Sequence, residues 1–109
     1  MTLQDLNKVL KATGYPVAYS HFTSNENCSL PIPPYITYLS VYSTNLIADG
    51  KVYKKIDNIQ IELYTVKKDL NAEKKLEDLL DENEIAYETT EKWIESEKLF
   101  QKIYEVRLI

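Results

Sequence analysis

The sequence predicts an α+β domain: an antiparallel sheet of about five strands with two amphipathic helices packed on one face. Five segments alternate apolar and polar residues at period two, which is typical of half-buried strands, and two segments have the 3.6-residue period of helices. Their order is α-β-β-β-α-β-β, with short connections that favour antiparallel neighbours. At 109 residues, the chain (residues 1–109) is long enough for one domain with a modest core.

The first helix is predicted over Thr2–Thr13. Thr2 is a suitable N-cap, and Asp5 stands where the second partner of a capping box belongs. Gly14 is suited to a left-handed C-terminal cap. The stripe expected to pack on the sheet is Leu3, Leu6, Val9, Leu10 and Thr13.

A short strand over Tyr15–Phe22 and a loop over Thr23–Pro34 are predicted next. The loop is rich in Ser, Asn and Pro, which disfavour regular structure. His21 and Cys28 are the only histidine and cysteine, and their spacing matches no zinc motif. A nucleophilic Cys–His pair is the functional alternative, but a strand-end histidine and a loop cysteine without chemical roles are favoured.

The second strand is predicted over Tyr35–Ser43. Both of its faces carry apolar residues, which favours a central position in the sheet. Asp49 and Gly50 then form a turn signal. Leu46 and Ile47 precede this turn, and two interpretations stay open: they fold back under the domain, or they form an exposed patch for a partner.

The segment Lys51–Lys67 is the main strand signal of the sequence. It is predicted to form one long strand, or two strands joined by a kink. From Ile59 onward the alternation is regular, with Ile59, Ile61, Leu63 and Thr65 on one face and Gln60, Glu62 and Tyr64 on the other. Before Asp57 and Asn58 the apolar residues occupy the opposite parity. A β-bulge at this point explains the switch and is favoured over a turn.

The second helix is predicted over Asp69–Asn83, capped by these two residues. Its buried stripe is Ala72, Leu76, Leu79 and Leu80, and charged residues cover the remainder. Residues 73–91 hold eight acids and two lysines. Such a run is usually a solvated face, and its functional alternative is a negative surface that repels DNA or meets a basic partner.

A closing hairpin is predicted over Ala86–Ile109, with its turn near residues 95–97 and a short helix over Ile94–Phe100 as an alternative. The final strand alternates regularly, so we expect the C-terminal segment to be tied into the sheet.

Composition excludes several function classes. The net charge of −4 disfavours nucleic-acid binding. A single cysteine permits no disulfide within the chain. Neither a signal pattern nor an apolar run of membrane-spanning length is present. Motifs for nucleophilic catalysis, metal binding or phosphate binding are missing, so we expect no enzyme, no catalytic residues, no metal and no cofactor. Nine tyrosines against two glycines are more typical of an interaction protein.

Six stretches resemble a small tail-component family of long-tailed bacteriophages and prophages of Gram-positive bacteria. They are PVAYSHF, PPYITY, ADGKVYKKIDNIQIELYT, KKLEDLLDENEI, YETTEKWIESEKL and IYEV. This family in turn resembles the tail terminators, so the resemblance implies a homohexameric ring that caps the tail tube and offers a docking surface to the head connector. A head-completion or connector protein of the same virion is the neighbouring alternative.

The resemblance also implies partners, a location and candidate surfaces. The partners are other copies of the chain, the major tail tube protein and the connector protein, at the head–tail junction of a virion made in the host cytoplasm. DNA would pass through the ring without specific binding, and no membrane is involved. The hypothetical interface residues are Tyr38, Tyr42, Leu46, Ile47, Tyr53 and Tyr64. The hypothetical acidic lumen consists of Glu73, Glu77, Asp78 and Asp81.

Two rival functions come from other classes. One is a small acidic binding module, of the inhibitor or immunity type, that captures a basic target. The other is a small enzyme that uses His21 and Cys28.

Overall fold

The computed structural model describes residues 2–22, 31–43, 46–48, 50–54 and 56–108, with the backbone alone for 46–48 and 52–54. The helices are α1 (Leu3–Lys11) and α2 (Leu70–Glu82). The strands are β1 (Val17–Tyr19), β2 (Tyr35–Ser43), β3 (Leu46–Ala48), β4 (Lys51–Lys54), β5 (Asp57–Thr65), β6 (Tyr87–Ile94) and β7 (Leu99–Leu108). The predicted α+β class and the order of elements are confirmed.

Five strands form the main sheet in the order β1-β2-β5-β7-β6. The pairs β2–β5, β5–β7 and β7–β6 are antiparallel, as predicted, but β1 pairs in parallel with β2, so the sheet is mixed. A parallel neighbour requires a connection of about a dozen residues or more, and the chain between β1 and β2 has that length. The expectation of a wholly antiparallel sheet was therefore wrong at this edge.

One face of the sheet carries the hydrophobic core. Cross-strand partners in an antiparallel pair point to the same face, so the register places Ile61 of β5 beside Tyr38 of β2 and Tyr104 of β7. Leu6 and Leu10 of α1 belong to the same buried cluster, together with Ala72, Leu76 and Leu80 of α2. Both helices thus pack on this face, which we call the helix face; the opposite one is the open face.

Apart from the C-terminal end of α1, the helix ends follow the predicted capping chemistry. The Thr2 side chain accepts a hydrogen bond from the Asp5 backbone N–H, and the Asp5 carboxylate accepts one from the Thr2 N–H, which completes the capping box. Asp69 caps α2 by accepting from the Ala72 N–H at 3.0 Å, and Asn83 is its C-cap. At the other end of α1 the prediction was wrong: the helix stops at Lys11 and its C-cap is Ala12, so Gly14, with a left-handed φ of +85°, lies beyond the cap.

The segment Lys51–Lys67 is divided between two sheets. β4 pairs with β3 in a separate two-stranded sheet, whereas β5 is the central strand of the main sheet. The favoured single strand with a bulge is wrong, and the two-strand interpretation is correct. The register shifts at two other places: between Ser40 and Tyr42 of β2, and in the β3–β4 ladder, where Leu46 pairs with Lys54 but Ile47 with Val52. The parity switch therefore marks the point where a long hairpin leaves the main sheet.

Candidate interaction surfaces

The β3–β4 hairpin, which we call the hairpin arm (residues 46–54), extends the β2–β5 ladder beyond the sheet. The last β2–β5 pair is Ser43 with Asp57, and the ladder resumes at Leu46 with Lys54. In the described part of the chain, no strand of the main sheet pairs with the arm. Its tip contains Gly50, which has a φ of +74°. Residues with a Cβ atom rarely adopt this angle, whereas glycine adopts it readily.

Three of the four predicted interface tyrosines have described side chains, and these three lie in different environments. Tyr42 is 63% exposed, at the base of the arm. Tyr38 is 7% exposed and packs edge-to-face on Tyr19, so it belongs to the core and offers no surface to a partner. Burial raises the Tyr38 pKa above its ordinary value. Tyr64 is half-buried on the open face, where its ring stacks on Tyr35.

The other three predicted interface residues lie in the arm. Leu46 pairs with Lys54, and Ile47 with Val52, through the backbone ladder. Tyr53 belongs to β4. The side chains of Leu46, Ile47 and Tyr53 lie outside the described atoms, so the question of whether they pack or form a patch stays open.

Two of the four acids predicted to line a lumen pack against the sheet instead. Glu73 is buried, and its carboxylate oxygens lie 2.9 Å from the Lys68 Nζ and 3.4 Å from the Lys102 Nζ. Hydrogen bonds from Lys68 to Glu73 and Glu91 raise the pKa of this lysine. The expectation that Glu73 lies among the solvated residues of α2 was wrong, because its carboxylate pairs with Lys68, just before the helix, and with Lys102 of β7.

Glu77 is held by two tyrosines of the helix face. It accepts a hydrogen bond from the Tyr104 hydroxyl at 3.0 Å and from the Tyr87 hydroxyl at 3.4 Å. Burial and the Glu77 carboxylate both raise the pKa of Tyr104 and of Tyr87, because each disfavours the phenolate. Glu77 therefore has a structural role. A substitution of Glu77 would change the stability of the fold, so it cannot by itself test a role in the lumen.

Asp78 and Asp81 are the members of the predicted lumen set that lie on the exposed side of α2. Asp78 forms a surface ion pair with Lys74, one helical turn away, at 2.8 Å. Such a pair contributes little to stability. The carboxylates of Asp78 and Asp81 are therefore available to an external partner.

The open face carries a buried polar cluster centred on Glu62. Its carboxylate accepts hydrogen bonds from the Thr37 hydroxyl at 3.1 Å, from the Gln60 amide at 2.7 Å and from the Tyr64 hydroxyl. Tyr64 in turn accepts from the Gln101 amide at 2.8 Å. Burial and the bond to Glu62 raise the Tyr64 pKa. These contacts cross-link the three strands β2, β5 and β7, which indicates a structural role.

A groove of about 640 Å³ opens where the arm leaves the sheet. Its lining includes Tyr42, Ile85, Tyr87 and Arg107. This mixed apolar and charged lining suits a protein side chain. Within the described ranges, no three His, Cys, Asp or Glu residues converge to hold a metal, and no helix has the length and apolarity to span a membrane.

His21 is exposed, and its Nδ1 lies 3.1 Å from the Ser20 hydroxyl. Cys28 lies outside the described residues, so the Cys–His alternative stays a hypothesis.

The edge strand β6 was missed as a candidate surface. Six of its eight residues are exposed, and Trp93 is 42% exposed although its ring packs on Phe100. An aromatic residue within an acidic, alternating strand was the available signal.

Comparison with known protein families and with curated proteins finds no match for this chain.

Proposed function

We propose that the chain is a non-enzymatic structural protein of a long-tailed bacteriophage or prophage, a tail terminator. In this role, identical subunits form a ring on the end of the tail tube and present a docking surface to the head connector. The proposal rests on the sequence resemblance described above, and the shape and charge of the subunit support it.

The observation that carries the proposal is a hairpin arm whose charge is opposite to that of the body. The arm (residues 46–54) holds two lysines and one aspartate, whereas the whole chain has a net charge of −4. The arm leaves the sheet and pairs only with itself among the described strands. A ring needs two different patches that meet head to tail, and a basic arm directed at the acidic body of the next subunit supplies such a pair.

The acidic residues on the exposed side of α2 have a second use in this ring. DNA must pass through the centre without adhering, and carboxylates on the lumen wall repel phosphates. Asp78 and Asp81 are the exposed members of the set, so we propose that these two, rather than Glu73 and Glu77, face the lumen.

The proposal is tested by light scattering and electron microscopy of the purified protein with and without tail tubes. We expect a six-fold particle, or a ring at one tube end. Reversing the arm charges in Lys51→Glu with Lys54→Glu should abolish that ring, because the arm would then repel the acidic body. The matched control is Lys8→Glu with Lys11→Glu, which changes the net charge equally on an exposed side of α1.

A ring that persists in the arm variant refutes the arm contact. Binding to the portal side of a filled head, with no affinity for tubes, assigns the chain to the connector group instead. A monomer that ignores both and captures one basic protein supports the acidic binding module.

A further inference from the structure

We propose that the free protein forms a two-fold dimer in which β6 of one copy pairs antiparallel with β6 of a second copy, with Thr90 on the axis. The dimer goes beyond the proposed function and uses a surface on the opposite edge of the sheet from β1 and β2. It would join two main sheets into one of ten strands.

The first observation is the unprotected edge. β6 ends the sheet order, so one side of its backbone has no strand partner in the described part of the chain. It is eight residues long, contains no proline, and its register with β7 is continuous without a bulge. Edges of this length and regularity favour pairing with another strand, because their N–H and C=O groups are already aligned.

The second observation is a set of unpaired charges on the open face. Glu88 lies directly opposite Glu105 of β7, and like charges at this spacing repel. Lys92 lies on the same face, four residues along β6. Within the described ranges, neither carboxylate nor the Lys92 ammonium group has an ion-pair partner, although four other lysines do.

The third observation is that one register satisfies these charges. A two-fold axis normal to the sheet keeps the open faces of both copies on the same side. Residues that face each other across the axis must then point to the same face, so one residue of β6 faces its own copy, and the axis runs between these two copies. With the axis at Thr90, Glu88 faces the partner's Lys92, and the symmetry repeats this contact. The partner's lysine then lies beside the strained pair of Glu88 and Glu105.

The same register is favourable on the helix face. Tyr87 lies opposite the partner's Trp93, again twice, and cross-strand aromatic pairs stabilise sheets. Neighbouring registers lack these contacts. An axis at Glu91 brings two carboxylates together, and an axis at Thr89 places Tyr87 opposite a glutamate.

Charge reversal tests the register. Glu88→Lys and Lys92→Glu should each weaken the dimer about tenfold, since each converts two attractive contacts into two repulsive ones. The double variant Glu88→Lys with Lys92→Glu should restore the wild-type dissociation constant, because the pairs are regenerated with exchanged signs. The measurement is mass by light scattering or ultracentrifugation over a concentration series, without tail tubes, where the dimer is twice the subunit mass of 12.7 kDa.

The fold should tolerate these variants. Both positions are exposed, and Glu88→Lys replaces a like-charge pair with Glu105 by an opposite-charge pair within the monomer. Unchanged circular dichroism and unfolding midpoints would verify this. A monomer at all concentrations overturns the proposal, and so does a dimer that the single reversals leave unchanged or the double variant fails to restore.

Cross-linking tests the position of the axis. In a Cys28→Ser background, Thr90→Cys should oxidise to a covalent dimer, because the two Cα atoms on the axis lie about 4.5–5.5 Å apart, within disulfide range. The matched control is Lys92→Cys, whose two copies would be about 13 Å apart along the strands. Equal cross-linking of both variants, or of neither, overturns the Thr90 axis.

The dimer and the ring can fail separately. Dimerisation is measured without tubes and depends on β6, whereas ring formation is measured on tubes and depends on the hairpin arm. Glu88→Lys is expected to weaken dimerisation about tenfold and to leave ring formation unchanged.

Discussion

Two carboxylates of this protein are buried to the same extent but held in different ways. Glu62 is 8% exposed on the open face, and Glu73 is 7% exposed on the helix face. Neutral groups hold Glu62: a hydroxyl, an amide and a phenol. Two lysines hold Glu73. Because the two carboxylates are equally buried, comparing them shows how hydrogen bonds from neutral donors differ in effect from ion pairs.

The difference lies in what the partners do when the carboxylate is removed. Thr37 is 3% exposed, so its hydroxyl cannot turn to water and would lose its partner. The Lys68 side chain is 42% exposed and can be rehydrated at once. The Lys102 side chain is 19% exposed, so both partners of Glu73 keep some access to water. We therefore expect the loss of Glu73 to cost less stability than the loss of Glu62.

The largest effect is expected for Glu62→Gln. The amide keeps one acceptor oxygen, but its NH₂ group faces either the Gln60 amide or the Thr37 and Tyr64 hydroxyls. We therefore expect a loss of about 2–3 kcal/mol in the free energy of unfolding, measured in urea. The control is Glu105→Gln, at an exposed position on the same face. If Glu62→Gln lost less free energy of unfolding than Glu73→Gln, the expected order of the two sites would be wrong.

A pH titration compares the two faces through their tyrosines. The pKa of Tyr104 on the helix face and of Tyr64 on the open face is raised above the ordinary 10.0, mainly by burial. The folded state therefore keeps a proton that the unfolded state releases, so stability is intact below pH 10 and falls as the pH rises above it. Each group contributes a slope of at most about 1.4 kcal/mol per pH unit.

Tyr104→Phe and Tyr64→Phe should each flatten this alkaline decrease, Tyr104→Phe over the wider pH range because its ring is fully buried. The measurement is urea unfolding at a series of pH values between 8 and about 12. An unchanged alkaline slope in both variants would refute the assignment to these phenols.

A smaller effect is expected for Glu73→Gln. Its ion pair with Lys68 is partly screened by solvent, so we expect a loss of about 1 kcal/mol that shrinks as salt is added. The corresponding loss for Glu62→Gln should be insensitive to salt, because its partners are neutral. A salt response in Glu62→Gln and none in Glu73→Gln would invert the comparison.

The smallest effect is expected for Asp78→Asn. The side chain of its partner Lys74 is 73% exposed, and we expect no change in the unfolding midpoint beyond experimental error. This variant therefore isolates the proposed lumen function from stability. A marked drop in stability would mean that Asp78 belongs with Glu73 and not with the exposed acids.

The sequence predicted the elements well because their signals are local. The Thr2 capping box, the Asp69 and Asn83 caps of α2, and the alternation from Ile59 to Thr65 depend only on residues a few positions apart. The candidate surfaces were predicted less well. Tyr38 and Tyr42 have the same side chain and nearly the same position, yet the first is in the core and the second is in solvent.

Local pattern thus determined the α+β class, the helix N-caps and the inward face of β5, since short-range periodicity and capping specify them. Only the tertiary structure decided that β1 pairs in parallel, that the Lys51–Lys67 segment divides between two sheets, and that Glu73 packs inward while Asp78 stays in solvent. These outcomes depend on which distant strands and lysines come together, and a residue's own neighbours in sequence do not encode that information.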